Sequence, residues 1–164
     1  MQMERNGVRV RNAAPNDVPL IVEFIHALAA YEKLSGQCVI TETMLREHLF
    51  GTRPYCEVLI GEDARGPAGF ALFYYNYSTF LGKPGIYLED LFVLPERRGT
   101  GIGKALFSEV AAQAAARGCG RMEWSVLDWN EPSIGFYKSM GASMMTEWTT
   151  CRLTGDALRA FSAK

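Results

Sequence analysis

The sequence lacks an excess of charge of either sign, and it lacks long apolar runs. Its 17 Lys and Arg residues balance 18 Asp and Glu residues, which gives a formal net charge of -1. A protein without a basic surplus has no overall electrostatic attraction for nucleic acid or an anionic membrane surface, so we expect neither as a partner. The apolar runs are far shorter than the roughly 20 residues that cross a bilayer.

Histidine and clustered cysteine are also scarce. The chain has two histidines, and its four cysteines, at positions 38, 56, 119 and 151, are widely spaced without a Cys-x-x-Cys pair. This spacing offers no local pattern for zinc, and we expect no metal. Four free thiols are typical of a reducing compartment, and residues 1–11 lack the apolar core of a signal peptide, so we expect a cytoplasmic protein.

The 164 residues, of which 48% are hydrophobic, fit one globular domain. Apolar periodicity predicts a strand at 8–11, two helices, three strands, and a helix after a glycine-rich loop. A strand over 121–127, a short helix beginning at Asn130, strands over 144–148 and 150–154, and a helix to about 161 complete the prediction. This order indicates an α+β or mixed α/β architecture.

The segment 98–104 reads Arg-Gly-Thr-Gly-Ile-Gly-Lys and precedes a predicted helix. The unpaired N–H groups and the dipole at a helix start suit a phosphate. Lys104 breaks the dinucleotide-binding glycine pattern, and Ala105 breaks the P-loop pattern. Glycine spacing alone leaves an anion site and a plain strand-to-helix turn equally open.

Glu89 and Asp90 interrupt the apolar strand predicted over 86–93. Neighbours on a regular strand point to opposite faces, which predicts one carboxylate on each side of the sheet. A structural ion pair or a sheet edge explains such a pair, and a base lining a wet cleft is the sharper hypothesis. Tyr137, one helical turn after Ser133, by itself indicates an amphipathic core residue.

Two longer motifs flank the glycine loop. Residues 87–93 read Tyr-Leu-Glu-Asp-Leu-Phe-Val, and residues 129–138 read Trp-Asn-Glu-Pro-Ser-Ile-Gly-Phe-Tyr-Lys. With the Arg-x-x-Gly-x-Gly loop, they resemble the GNAT N-acetyltransferase superfamily, and within it the spermidine/spermine (diamine) and thialysine N-acetyltransferase branch. The resemblance extends from residue 8 to about 158. It implies the GNAT acyl-CoA N-acyltransferase fold, a mostly antiparallel central sheet with splayed parallel strands flanked by helices, and one domain over 8–164.

The resemblance also implies an activity, the direct transfer of acetyl from acetyl-CoA to a primary amine of a small cationic substrate. A polyamine, a diamine, thialysine or a related amino acid would be the acceptor. Tyr137 would be the general acid and Glu89 the base. The positions that match the family's cofactor contacts are Leu91, Phe92, Val93, Arg98, Gly99, Thr100, Gly101, Ile102, Gly103, Lys104, Asn130, Glu131, Pro132, Ser133 and Tyr137. The positions that match its amine side are Tyr31, Glu32, Glu89, Asp90 and Glu147.

The chain departs from the polyamine enzymes where they carry Glu-Gly-Trp, because residues 149–151 read Thr-Thr-Cys. Two alternatives remain open, a protein or peptide N-acetyltransferase and a catalytically silent acetyl-CoA sensor that would not need Tyr137. Related acetyltransferases are homodimers, and we expect one here. The aromatic residues predicted at the interface, unless they fill the protomer core, are Phe73, Tyr74, Tyr75, Tyr77 and Phe80.

Overall fold

The computed structural model describes residues 2–5 and 7–162, with side chains from residue 7 onward, and the chain divides into two units, 1–125 and 126–164. The elements of the first unit are β1 Gln2–Arg5, β2 Val8–Asn12, α1 Val18–Tyr31, α2 Glu42–Phe50, β3 Glu57–Asp63, β4 Gly66–Ser78, β5 Lys83–Val93, α3 Ile102–Ala116 and β6 Met122–Glu123. The second unit contains α4 Glu131–Ser139 and α5 Gly155–Arg159.

The six strands form one sheet in the order β1-β2-β3-β4-β5-β6. Every neighbouring pair is antiparallel except β5 and β6, which run parallel and are in register only through Ile86↔Met122 and Tyr87↔Glu123. The expected fold class, a mostly antiparallel sheet with a diverging parallel pair, is confirmed. On the edge of β5 that faces β6, pairing among the described residues ends at Tyr87. That edge is therefore open from Leu88 onward.

One face of the sheet packs against α1 and α2. Phe24 of α1 stacks on Phe70 of β4 with ring centres 6.0 Å apart, and it meets Phe92 of β5 at 6.2 Å. Leu45 and Leu49 of α2 join the same cluster. Burying an aromatic side chain of this kind contributes roughly 1.5–3 kcal/mol, so this cluster fixes the position of α1 on the sheet.

The other face packs against α3. A Cβ atom on Gly61 of β3 would lie 2.8 Å from the Ile102 side chain, so only glycine allows the helix to approach this closely. Phe73 of β4 also points to this face, because alternation separates it from Leu72 in the α1 and α2 cluster. Phe73 is 1% exposed, so it belongs to the core and not to a subunit interface.

The helices and most strands agree with the sequence prediction, whereas the last strands do not. The strand predicted over 121–127 is limited to β6, and the strands predicted over 144–148 and 150–154 are wrong, since that segment is irregular. Residues 143–154 are exposed, and alternation without a pairing strand or a buried face does not form a ladder. Among the described residues, no helix has the length and apolar character that a membrane crossing requires.

Candidate active site

A β-bulge in β5 sets the arrangement of the acidic residues. Leu72 pairs with Asp90 and Phe73 with Leu88, so Glu89 is an extra residue without a partner on β4. A bulge breaks the strict alternation of side chains. The prediction that Glu89 and Asp90 point to opposite faces is therefore wrong, because both carboxylates lie on the face that carries α1 and α2.

Tyr74 of β4 holds Glu89 on this face. The Tyr74 hydroxyl donates a hydrogen bond of 3.0 Å to Oε2 of Glu89. The Tyr74 ring stacks on that of Tyr87, its partner across the strands, with centres 5.4 Å apart and planes 27° apart. The Tyr87 hydroxyl in turn shares a hydrogen bond of 2.8 Å with Oγ of Ser125. Two stacked rings thus separate the Glu89 carboxylate from the end of β6.

Glu32, directly after α1, completes a carboxylate cluster with Glu89 and Asp90. Burial, reinforced by the charges of Glu89 and Glu32, raises the pKa of Asp90 to about 7. Burial and the charge of Glu89 also raise the pKa of Glu32. No basic side chain within residues 7–162 forms an ion pair with any of the three. The cluster therefore has negative charge that the described side chains leave uncompensated.

Cys56, just before β3, lies beside this cluster. Burial, followed by the charges of Asp90, Glu57 and Glu89, raises the pKa of its thiol to about 11. The thiolate is the nucleophilic form of cysteine, so this side chain stays protonated and unreactive at neutral pH.

Arg98 connects the end of α1 to the glycine loop. Its guanidinium carbon lies 4.5 Å from the centre of the Tyr31 ring, and its Nε donates a hydrogen bond of 3.0 Å to the carbonyl of Val93. A cation over an aromatic face at this distance is attracted by the ring. The contact places Tyr31, predicted at the amine side, next to the residue that opens the loop predicted to bind the cofactor.

The glycine loop presents open backbone at the start of α3. Gly99 and Gly101 have φ values of +75° and +93°, and the space that a Cβ atom would enter at either position is empty to 4 Å. Gly101 is the N-cap, and no side chain caps the helix within the part of the chain described. The first amides of α3 are therefore accessible to an anion.

One contact joins the loop to the sheet, and a second lies within the loop. The buried Arg97 guanidinium donates to Oδ1 of Asp63 at 2.8 Å, and the Thr100 hydroxyl donates to the Arg97 carbonyl at 2.6 Å. The loop follows directly after the open edge of β5, where the predicted contacts Leu91, Phe92 and Val93 lie. Accessible amides beside an open strand edge fit a pyrophosphate joined to an extended polar arm, as in acetyl-CoA. Ile102 is buried, Gly103 half-buried and Lys104 exposed.

The remaining predicted residues lie in the second unit. Asn130 caps α4 as predicted, because its Oδ1 accepts a hydrogen bond of 3.3 Å from the amide of Ser133. Glu131 and Pro132 occupy the exposed first turn. Tyr137 is 9% exposed and packs edge-on against Phe136. Glu147 lies in the exposed irregular segment.

Known proteins resemble this chain over most of its length. The profile of the Acetyltransferase (GNAT) family matches residues 25–142. Thialysine N-epsilon-acetyltransferase from Bos taurus is 40% identical, over 96% of this chain and 98% of that protein. L-ornithine N5-acetyltransferase NATA1 from Arabidopsis thaliana is 38% identical, over 93% of this chain and 86% of that protein.

Solved structures share the fold. An integron cassette protein from V. cholerae superposes with a TM-score of 0.79 and 25% identity, over 98% of this chain and 100% of that chain. The chain belongs to the GNAT acetyltransferase family. It is an N-acetyltransferase, and acetyl-CoA is the co-substrate that this family uses.

Proposed function

We propose that the protein acetylates a primary amine of a small molecule that carries a second positive charge. A diamine, a polyamine or a basic amino acid such as thialysine or ornithine has this character. The observation that carries the proposal is the cluster of Glu32, Glu89 and Asp90, which has no basic partner among residues 7–162. A cationic substrate would supply the missing charge and lower the pKa of Asp90 from its raised value near 7.

The two curated relatives support this substrate class. Their names specify the side-chain amines of thialysine and L-ornithine as acceptors. An amino acid with such a side chain keeps its α-amino group as a second cation while the side-chain nitrogen reacts. One ammonium would remain charged against the cluster, and the other would lose its proton.

Residues on β5 and the glycine loop are proposed to hold acetyl-CoA. The amides from Gly99 to Lys104 would bind the pyrophosphate, and the backbone of Leu91 to Val93 would hold the pantetheine arm along the open edge. Bound acetyl-CoA supplies an acetyl thioester, whose carbonyl carbon forms a bond to the amine nitrogen as its bond to sulfur breaks. Asn130, Glu131, Pro132 and Ser133 are proposed to contact the cofactor from α4.

Two side chains of this chain are proposed to move the protons. Glu89, through a water, would take the proton that the ammonium must lose, and Tyr137 would give a proton to the departing thiolate. About one in a thousand amines with the lysine pKa of 10.4 is unprotonated at neutral pH, so a base is worth roughly 4 kcal/mol. The protonated thiol of Cys56, with a pKa near 11, favours direct transfer over an acetyl-cysteine intermediate.

The assembly and the cell compartment are part of the same proposal. Residues 8–164 would act as one domain, which is supported by a family match that spans the boundary at residue 125. A homodimer would cover the exposed aromatic side chains near the β4–β5 turn, where Tyr77 is 62% exposed and Phe80 fully exposed. The four cysteines are free thiols, which fits a reducing compartment such as the cytoplasm.

The test is a panel of acceptor amines with acetyl-CoA and detection of the released thiol. We expect kcat/KM at least about tenfold higher for ornithine, thialysine and diamines than for neutral-tailed amines of equal length, the order of a partly buried charge pair. Glu32→Gln should shrink this preference. Equal rates for neutral-tailed amines would contradict the proposed substrate class.

A further inference from the structure

We propose that Tyr74 is a positioning residue for acetyl transfer, one that acts by fixing the carboxylate of Glu89 through the hydrogen bond between its hydroxyl and Oε2. The inference rests on the proposed role of Glu89 as the base. Tyr74 itself would touch neither the amine nor acetyl-CoA in this proposal, and its effect would pass entirely through Glu89.

The bulge explains why Glu89 needs such a partner. As the extra residue of β5, Glu89 has no opposite residue on β4 to limit its side chain. It is exposed, and long exposed carboxylates sample several rotamers unless a contact selects one. The 3.0 Å hydrogen bond from Tyr74 holds Oε2 and leaves Oε1 outside this contact.

Tyr74 is itself held in place. Its ring stacks on Tyr87 at 5.4 Å, and the Tyr87 hydroxyl is fixed by its 2.8 Å hydrogen bond with Ser125. Three residues on three adjacent segments thus form a chain that ends at Glu89. A base must stay within hydrogen-bond reach of the proton or the water it uses, so small displacements of its oxygen are costly.

The Tyr74 hydroxyl is a donor throughout the working pH range. Burial, followed by the hydrogen bond to Glu89 and its charge, raises the pKa of Tyr74 to about 12. The titratable groups that face Glu89 are Asp90 beside it, Tyr74 on β4, Glu32 after α1 and Cys56 before β3. Of these, only Tyr74 forms a hydrogen bond with it among the described side chains.

Tyr75, the next residue on β4, offers a matched control. Its hydroxyl accepts a hydrogen bond of 3.1 Å from Arg117, on the face of the sheet opposite to that of Tyr74. Tyr74→Phe and Tyr75→Phe each remove one hydroxyl from the same strand and keep the ring. A difference between the two variants therefore reports the partner of the hydroxyl and not the chemistry of the substitution.

The experiment measures kcat and KM of both variants with ornithine and acetyl-CoA, after thermal unfolding has shown that each folds. We expect Tyr74→Phe to lower kcat about ten- to hundredfold, the range spanned by a hydrogen bond to a charged group, with KM for acetyl-CoA unchanged. Tyr75→Phe should retain the activity of the unmodified protein.

Glu89→Gln completes a double-mutant cycle. If Tyr74 acts through Glu89, Tyr74→Phe should cost little further activity in the Glu89→Gln background. An equal loss in both backgrounds, or an unchanged kcat for Tyr74→Phe alone, would overturn the inference. Full activity of Glu89→Gln alone would instead overturn the proposed base, so the two failures are distinguishable.

Discussion

Glu57 and Glu89 are both exposed carboxylates next to a tyrosine of β4, but they lie on opposite faces of the sheet. Glu57 forms a two-pronged ion pair with Arg117, with N–O distances of 2.6 and 2.8 Å, and Arg117 also reaches Tyr75. Glu89 meets Tyr74 and two further acids, and no basic side chain within residues 7–162 pairs with it. The comparison indicates that the structure satisfies one carboxylate internally and leaves the other available to a ligand.

The compensated face continues into α3. The Arg117 guanidinium also donates to Gln113 at 2.7 Å, and Gln113 donates to the buried Glu109 at 3.1 Å. The hydrogen bond to Glu57 raises the pKa of Arg117 above its usual value, so the pair stays charged. The ion pair of Glu57 with Arg117 contributes to structure, whereas an acidic cluster without a cation favours a positive substrate.

The largest effect should follow from neutralising each carboxylate in turn. We expect Glu89→Gln to lower kcat about 10²- to 10⁴-fold, since a positioned base contributes on that order. Glu57→Gln, the matched change on the other face, should leave kcat within about twofold because Arg117 already satisfies this carboxylate. Steady-state kinetics with ornithine measure both, and equal losses would contradict the assignment of the two faces.

A smaller effect should appear in the stability of Asp90→Asn. The raised pKa of Asp90, near 7 in place of 3.8, means that the folded protein binds this proton more tightly than the unfolded chain. The unmodified protein therefore loses stability as pH rises from about 4 to 7, and the Asn variant avoids that loss. We expect the variant to be more stable by up to about 4 kcal/mol at pH 8 and similar at pH 4.

Urea unfolding at the two pH values measures this difference. The same variant should show a higher KM for amines with two positive charges. The Asp90 carboxylate destabilises the protein in the absence of substrate, but it would attract a cationic substrate. A variant that is destabilised at pH 8 would contradict the view that Asp90 is uncompensated.

The smallest effect should come from Arg117→Met on the compensated face. The pair with Glu57 is partly exposed to solvent, and exposed ion pairs contribute about 0.2–1 kcal/mol. We expect a loss of stability of at most about 1 kcal/mol, reduced further in 0.5 M salt, with acetyl transfer unchanged. Urea unfolding with and without salt tests this, and a salt-independent loss would indicate packing in place of charge.

Local signals in the sequence were sufficient for the helices and the glycine loop. Thr41 accepts the amide of Met44 at 3.3 Å at the start of α2, and Gly118, after α3, has a φ of +72°. Such caps, together with an apolar stripe, are properties of a few consecutive residues. The motif around Glu89 also identified both acidic residues of β5 before the fold was known.

That the side chains of Glu89 and Asp90 lie on the same face of the sheet was not predictable in the same way. The bulge depends on which residues of β4 pair with β5. The alternation of apolar and polar residues along one strand does not specify how that strand pairs with its neighbour. The hydrogen bond from Tyr74 to Glu89 was not predicted for the same reason, since the aromatic run of β4 by itself indicates only core or interface. The strands predicted over 144–148 and 150–154 were wrong because no strand in the described part of the chain pairs with that segment.

The bulge at Glu89 also has a consequence for how this strand can change over evolution. Deleting Leu88 would restore regular pleating, place Glu89 opposite Phe73 and turn its carboxylate toward α3. Single-residue deletions in β5 should therefore abolish activity even where every acidic side chain is kept. The short turn at residues 64–65 carries no such constraint, so length variation among descendants of this protein should accumulate there and spare β5.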